Sequence, residues 1–195
     1  MAEKKGRADG IWEPVLDRAR KVKIERDIVS ILQKVAIFEE LSRRDILKIA
    51  RIAHHRHYGE GEVIIHQGQA SAGMYIIVEG EVEVTKEWED GKIVHLSTLG
   101  EATFFGDVGL LDNAPRTATV TAARDSKIVG FFRPELLGLM DSDPKLASKV
   151  VFKLAQVLAS RLRFTNSELE KAQQDIDRLK AVADQPAQTD TETLI

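Results

Sequence analysis

Phe105–Val120 reads FGDVGLLDNAPRTATV, and everything else in the chain is best understood outward from it. Two glycines (Gly106, Gly109), a carboxylate (Asp107) and one arginine (Arg116) fall in a short apolar segment between stretches of strand character. The nearby counter-charges are Asp107 and Asp112. An arginine fixed at the end of such a loop suits a phosphate, because guanidinium presents a planar fork of N–H donors with a permanent charge.

Around this loop the chain is built of short strands and glycine turns from Tyr58 to Phe132. Val63–Ile65 and Met74–Val78 are apolar runs closed by Gly68 and Gly80. Val82 and Val84 alternate with Glu81, Glu83 and Thr85, the period of a half-exposed strand. Glu89-Asp90-Gly91 predicts a hairpin turn, with Ile93, Val94, Leu96 and Leu99 on the return. Thr117–Ala123 and Lys127–Phe132 supply two further strands. No helix is interleaved, which argues against a Rossmann-like unit and for a β-sandwich or β-roll.

Helical patterns flank the roll. Residues 1–14 are polar and predicted disordered, and 15–57 carry N-terminal helices. The first of these spans Val15–Val35 with a basic run, Arg18 to Arg26, read as a solvated face. Ser42 and Asp45 form a capping pair ahead of Ile46, Leu47, Ile49 and Ala50. The roll takes 58–133. Residues 134–183 are helical again, with Pro144 near the first turn of a long helix. Val150, Val151, Leu154, Ala155 and Val157 predict that the start of that helix lies against the roll. Further on, Leu162, Leu169, Ile176 and Ala183 recur every seven residues, with Leu158, Thr165, Ala172 and Leu179 as the partner column. This weak coiled-coil spacing implies a homodimer. The tail, 184–195, is predicted disordered. The fold expected is mainly β with flanking helices.

Composition excludes several functions. With no cysteine there is no disulfide, thiolate catalysis or zinc–sulfur site. A net charge of −3 gives no general nucleic-acid or membrane surface. No signal peptide and no membrane span is expected, which points to a cytoplasmic protein. His54, His55 and His57 are expected at a helix end, where only His54 and His57 share a face, so they are read as ordinary surface or hairpin-edge histidines and not as a metal site. Ser71, Ser97 and Ser126 have no histidine base at a motif spacing, and no enzyme activity is expected. Trp88, on a charged hairpin, is an exposed contact point or a scattered surface aromatic.

Two sets of residues carry a family resemblance over roughly 31–163. One is Gly61-Glu62-Val63-Ile64-Ile65 with Gly68, then Met74–Val78 with Gly80 and Val82. The other is Phe105-Gly106-Asp107 with Pro115-Arg116-Thr117-Ala118. Together and in this order, they resemble the cyclic-nucleotide-binding domains of catabolite activators, kinase regulatory subunits and nucleotide-gated channels. The resemblance implies a jelly-roll-like double-stranded β-helix, with Gly106, Asp107, Val108, Gly109, Arg116, Thr117 and Ala118 as the phosphate-binding cassette. It implies that Arg116 holds the cyclic phosphate, that Thr117 touches base or phosphate, and that Ala118 closes the motif. Amides near Gly106 and Gly109 would face the phosphate. Asp107 stands where a glutamate usually binds the ribose 2′-hydroxyl, and is one methylene shorter. Gly109 stands where alanine or serine is usual. Leu158, Arg161, Leu162 and Thr165 are candidates to cover the base.

The implied ligand is cyclic AMP, favoured over cyclic GMP, with no prosthetic group and no metal. The twelve residues after Ala183 are too few for a helix-turn-helix, so no sequence-specific DNA binding is expected. If the chain is a regulator, its output is expected to pass through the dimer, the tail or another protein. The alternative reading is a degenerate domain that binds no nucleotide, pairs Arg116 with Asp107 or Asp112, and serves as an interaction or dimerisation module.

Overall fold

A computed structural model describes residues 26–183. The elements in order are helix α1, described over 26–32, α2 (Arg43–Ile52), β1 (His54–Tyr58), β2 (Val63–Ile65), β3 (Gly73–Glu79) and β4 (Glu81–Glu87). Then follow β5 (Ile93–Gly100), β6 (Phe104–Phe105), α3 (Val108–Leu111), β7 (Thr119–Ala122), β8 (Ser126–Phe132), α4 (Arg133–Ser142) and α5 (Pro144–Ala183). The expectations for 1–14, for 184–195 and for the basic run before Arg26 lie outside the described residues.

The strands form two four-stranded antiparallel sheets, ordered β1-β8-β3-β6 and β2-β7-β4-β5. This is the expected β-roll. One core cluster draws on both sheets, with Ile77, Phe105 and Ile128 from the first and Ile65, Val82 and Val120 from the second. Removing such side chains from water contributes about 1.5–3 kcal/mol each, which holds the two sheets face to face. The β4–β5 hairpin turns at Gly91 with φ +78°, as Glu89-Asp90-Gly91 predicts. At its tip Trp88 is 51% exposed.

Several boundaries differ from the sequence expectation. The region 15–57 is not wholly helical where described. Turns occupy most of 33–40, and His54–Tyr58 is strand β1, paired to β8 from His54↔Gly130 to Tyr58↔Ser126. Backbone pairing, not side-chain burial, makes this strand, since four of its five residues are exposed. On a strand, residues two apart share a face, so His55 groups with His57 and His54 lies on the other side. The helix-end pairing of His54 with His57 is therefore wrong. His54 contacts the Phe132 ring at 5.3 Å, and its Nε2 lies 2.7 Å from Glu135 Oε1 on α4. Strand β7 begins at Thr119, leaving Thr117 and Ala118 in a bend. Strand β6 and the single turn α3 are additions.

The helices flanking the roll are capped as their residues require. Ser42 Oγ accepts from the Asp45 amide at 3.2 Å, starting α2, whose buried face is Ile46, Ile49 and Ala50. Asp143 Oδ1 accepts from the Leu146 amide at 3.1 Å at the start of α5, and Lys48 Nζ of α2 reaches Asp143 Oδ2 at 2.6 Å. The chain divides into two compact units, one ending at Leu154 and one beginning at Ala155. In the first unit the opening turns of α5 bury Leu146, Ala147, Val150 and Leu154, while Val151 is half-buried. In the second unit Ala155 is exposed and Val157 half-buried, and Leu162, Leu169, Ile176 and Leu179 all present exposed apolar side chains.

Candidate functional site

The loop quoted at the outset is brought against the β2–β3 connection. Arg116 is fixed first through its backbone. Its N–H donates to Gln69 O and its carbonyl accepts from the Gly68 amide, both at 2.8 Å, and Ala70 bridges Pro115 beside them. These bonds set the direction in which the side chain leaves.

The guanidinium is then held from several sides. Nη1 donates to Gly106 O at 2.9 Å and Nη2 donates to Gly73 O at 2.7 Å. Its central carbon lies 5.7 Å from the Tyr75 ring centroid, a cation–π distance. Tyr75 is itself braced by stacking on Phe105 at 5.5 Å and by an edge contact with Phe132 at 5.7 Å. Burial lowers the Arg116 pKa from its ordinary value, against the opposing influences of Tyr75 and the Asp107 carboxylate. The group stays protonated at any physiological pH. A cation drawn out of water and oriented by carbonyls gains from an incoming anion, and the guanidinium has N–H donors beyond the two in use.

Asp107 is 4% exposed and precedes α3 without capping it through its side chain. Gly106 has φ +70°, a conformation that favours glycine, and a Cβ there would stand 2.5 Å from Arg116 Nη1. Gly109 lies inside α3 and is buried, whereas Val108 is exposed. Thr117 is exposed and Ala118 half-buried, next to Arg116 in the bend. Gly106, Asp107, Gly109 and Arg116 are thus brought together, while Val108 and Thr117 lie at the solvent side. Asp112 has a local task, since its Oδ1 accepts from the Ala114 amide at 3.2 Å. Leu158, Arg161, Leu162 and Thr165 lie on α5 in the second unit, with Leu158 half-buried and the other three exposed.

Four residues at this site are not assigned to it by the sequence. Gly73 and Tyr75 receive the arginine head, as above. Ser71 is 8% exposed and packs against Gly109. Arg133, the first residue of α4, spans to α3. Its Nε donates to Leu110 O at 3.2 Å, its Nη2 to Gly109 O at 3.1 Å, and its Nη1 to the Asn113 side-chain oxygen. The last carbonyls of a helix lack intrahelical partners, and Arg133 satisfies two of them while tying α3 to α4. Among the described residues no group of three or more histidines or carboxylates is arranged to hold a metal, and no helix is long and apolar enough to cross a membrane.

Comparison with known proteins agrees with this geometry. Residues 55–143 match the family model described as the cyclic nucleotide-binding domain. A cAMP-dependent protein kinase regulatory subunit from Mycosarcoma maydis is 42% identical over 92 residues, covering 47% of this chain and 17% of the relative. The cyclic AMP receptor protein of Thermus thermophilus is 29% identical over 134 residues, covering 69% of this chain and 60% of the relative. The chain therefore spans less than two thirds of either relative's length. The crystal structure of the Thermus thermophilus catabolite activator protein superposes with a TM-score of 0.64 at 29% identity, covering 71% of this chain and 63% of that one. With its paired sheets and its Gly106–Arg116 loop, the chain carries over 55–143 a segment that matches the cyclic nucleotide-binding domain.

Proposed function

We propose that the chain is a cyclic-nucleotide sensor that takes cyclic AMP in preference to cyclic GMP. The observation that carries this reading is the Arg116 head, half-buried and aligned by Gly106 O and Gly73 O beside α3. Arg116 would hold the cyclic phosphate, with the backbone around Gly106–Gly109 alongside it. Asp107, buried next to the guanidinium, would take the ribose hydroxyl, directly or through a water. The preference for cyclic AMP follows the similarity to a cAMP-dependent protein kinase regulatory subunit and to a cyclic AMP receptor protein.

Output would run through helices. Ligand held at α3 biases the position of α4 through Arg133, and α4 leads within two residues to α5. The exposed leucines and isoleucine of the second unit supply a dimer seam, so the response is a shift between two dimer geometries of different ligand affinity. No catalytic step is assigned to the chain.

Thermal unfolding with and without nucleotide tests the reading. Ligand at a hundredfold its dissociation constant stabilises by about 2.7 kcal/mol. For a domain of this size that raises Tm by about 5–10 °C. A shift with cyclic AMP larger than that with cyclic GMP is expected. No shift with either at millimolar concentration contradicts it.

A further inference from the structure

The missing side chain of Gly109 leaves a space that Ser71 enters. A Cβ built on Gly109 would stand 1.9 Å from Ser71 Oγ, 2.8 Å from Ser71 Cβ and 2.8 Å from Arg116 Nη1. One point is therefore flanked by a hydroxyl and by the arginine head. The position of Ser71 is held from both chain directions. Ala70 bridges Pro115, Ala72 O accepts from the Arg133 amide at 2.8 Å, and Gly73 O accepts from Arg116 Nη2 at 2.7 Å. Ser71 is thus tied through its neighbours to Arg116 and, through Arg133, to α3.

We infer that Ser71 is a phosphate-binding residue of this site, its hydroxyl donating to one of the two exocyclic oxygens of the phosphate held by Arg116. The inference rests on the nucleotide reading above. A hydroxyl beside a guanidinium adds a short directional donor to the same anion, and donors to charged acceptors are the stronger class. Glycine at 109 is what admits it, because an alanine there would occupy the same space. Gly109 and Ser71 act as a pair, the one making room and the other supplying the donor.

The test is calorimetric titration of the wild type and of Ser71→Ala with cyclic AMP and with its two phosphorothioate diastereomers. Each diastereomer has sulfur in place of one exocyclic oxygen, and sulfur accepts weakly from a hydroxyl. Ser71→Ala is expected to weaken cyclic AMP binding about tenfold. It is also expected to weaken one diastereomer far more than the other, narrowing the preference shown by the wild type. Cyclic AMP affinity unchanged by the substitution overturns the assignment of Ser71 alone. A uniform loss across all three ligands overturns it equally, because it marks a packing effect, and Ser71→Gly checks that outcome in a second background. Wild-type protein that binds none of the three overturns the nucleotide reading and the assignment with it.

Discussion

The substitution Gly109→Ala sets two effects against each other, and the structure decides which wins. Gly109 lies within α3 and needs no left-handed backbone, so alanine would ordinarily gain about 1 kcal/mol of helix propensity. Against this, the new Cβ falls 1.9 Å from Ser71 Oγ and 2.8 Å from Ser71 Cβ. Rotating the hydroxyl away relieves the first contact and leaves the second, so Ser71 has to move with its backbone. Such overpacking costs about 1–3 kcal/mol. With Ser71 present, the net is a loss of about 1 kcal/mol. With Ser71→Gly both Ser71 atoms are gone and only Arg116 Nη1, at 2.8 Å and at the far end of a long side chain, still has to shift, so the same Gly109→Ala change becomes close to neutral. Denaturant unfolding of the four proteins of this double-mutant cycle measures the coupling, expected at about 1 kcal/mol. Stabilisation by Gly109→Ala in the presence of Ser71, or a coupling under about 0.5 kcal/mol, which is the ordinary limit of additivity, refutes the steric argument.

Three further outcomes are expected. Arg133→Ala leaves the carbonyls of buried Gly109 and Leu110 without their donors and costs about 2 kcal/mol, read as a Tm drop of about 4–8 °C in thermal unfolding. Leu169→Asp and Ile176→Asp place charges in the exposed seam of α5, and light scattering at tens of micromolar (roughly the range where such short seams associate) is expected to change from dimer to monomer. Asp143 has its pKa held below the ordinary carboxylate value, first by the Lys48 bond and then by the Leu146 amide. A depressed folded-state pKa contributes stability above the ordinary carboxylate range and loses it as pH falls through the folded value, so Asp143→Asn flattens the acid limb of the stability profile. Because Lys48 is exposed, this effect is small and shrinks with added salt.

How much was legible in the chain follows from which forces leave a local trace. Val82–Val84 against Glu81–Glu83, the glycines at 68, 80 and 91, and Ser42 with Asp45 all act within a few residues, and each element they predict is present. Strand β1 left no such trace, because His-His-Arg-His has no apolar alternation and its order comes from β8, about seventy residues later. Phe104–Phe105 is too short to show a period. At the site, Gly106, Asp107 and Arg116 could be named because they share one loop. Their supports, Ser71, Gly73, Tyr75 and Arg133, arrive from β3, its preceding loop and α4, and only folding brings them near. As a nucleophile Ser71 lacks a histidine base at a motif spacing, and its contact with Gly109 exists only through space. The alternative pairing of Arg116 with a carboxylate likewise does not anticipate the carbonyls of Gly106 and Gly73, each of which accepts one N–H from the arginine head.

The central claim is that Arg116 makes this loop an anion grip for a cyclic nucleotide. Calorimetric titration of cyclic AMP into the wild type and into Arg116→Ala tests it most directly. The account predicts micromolar binding by the wild type. Arg116→Ala is expected to weaken it by at least about a hundredfold, the equivalent of about 3 kcal/mol for a charge-assisted contact removed from a half-buried site. Equal titration curves for the two proteins, whether both bind or neither does, contradict it.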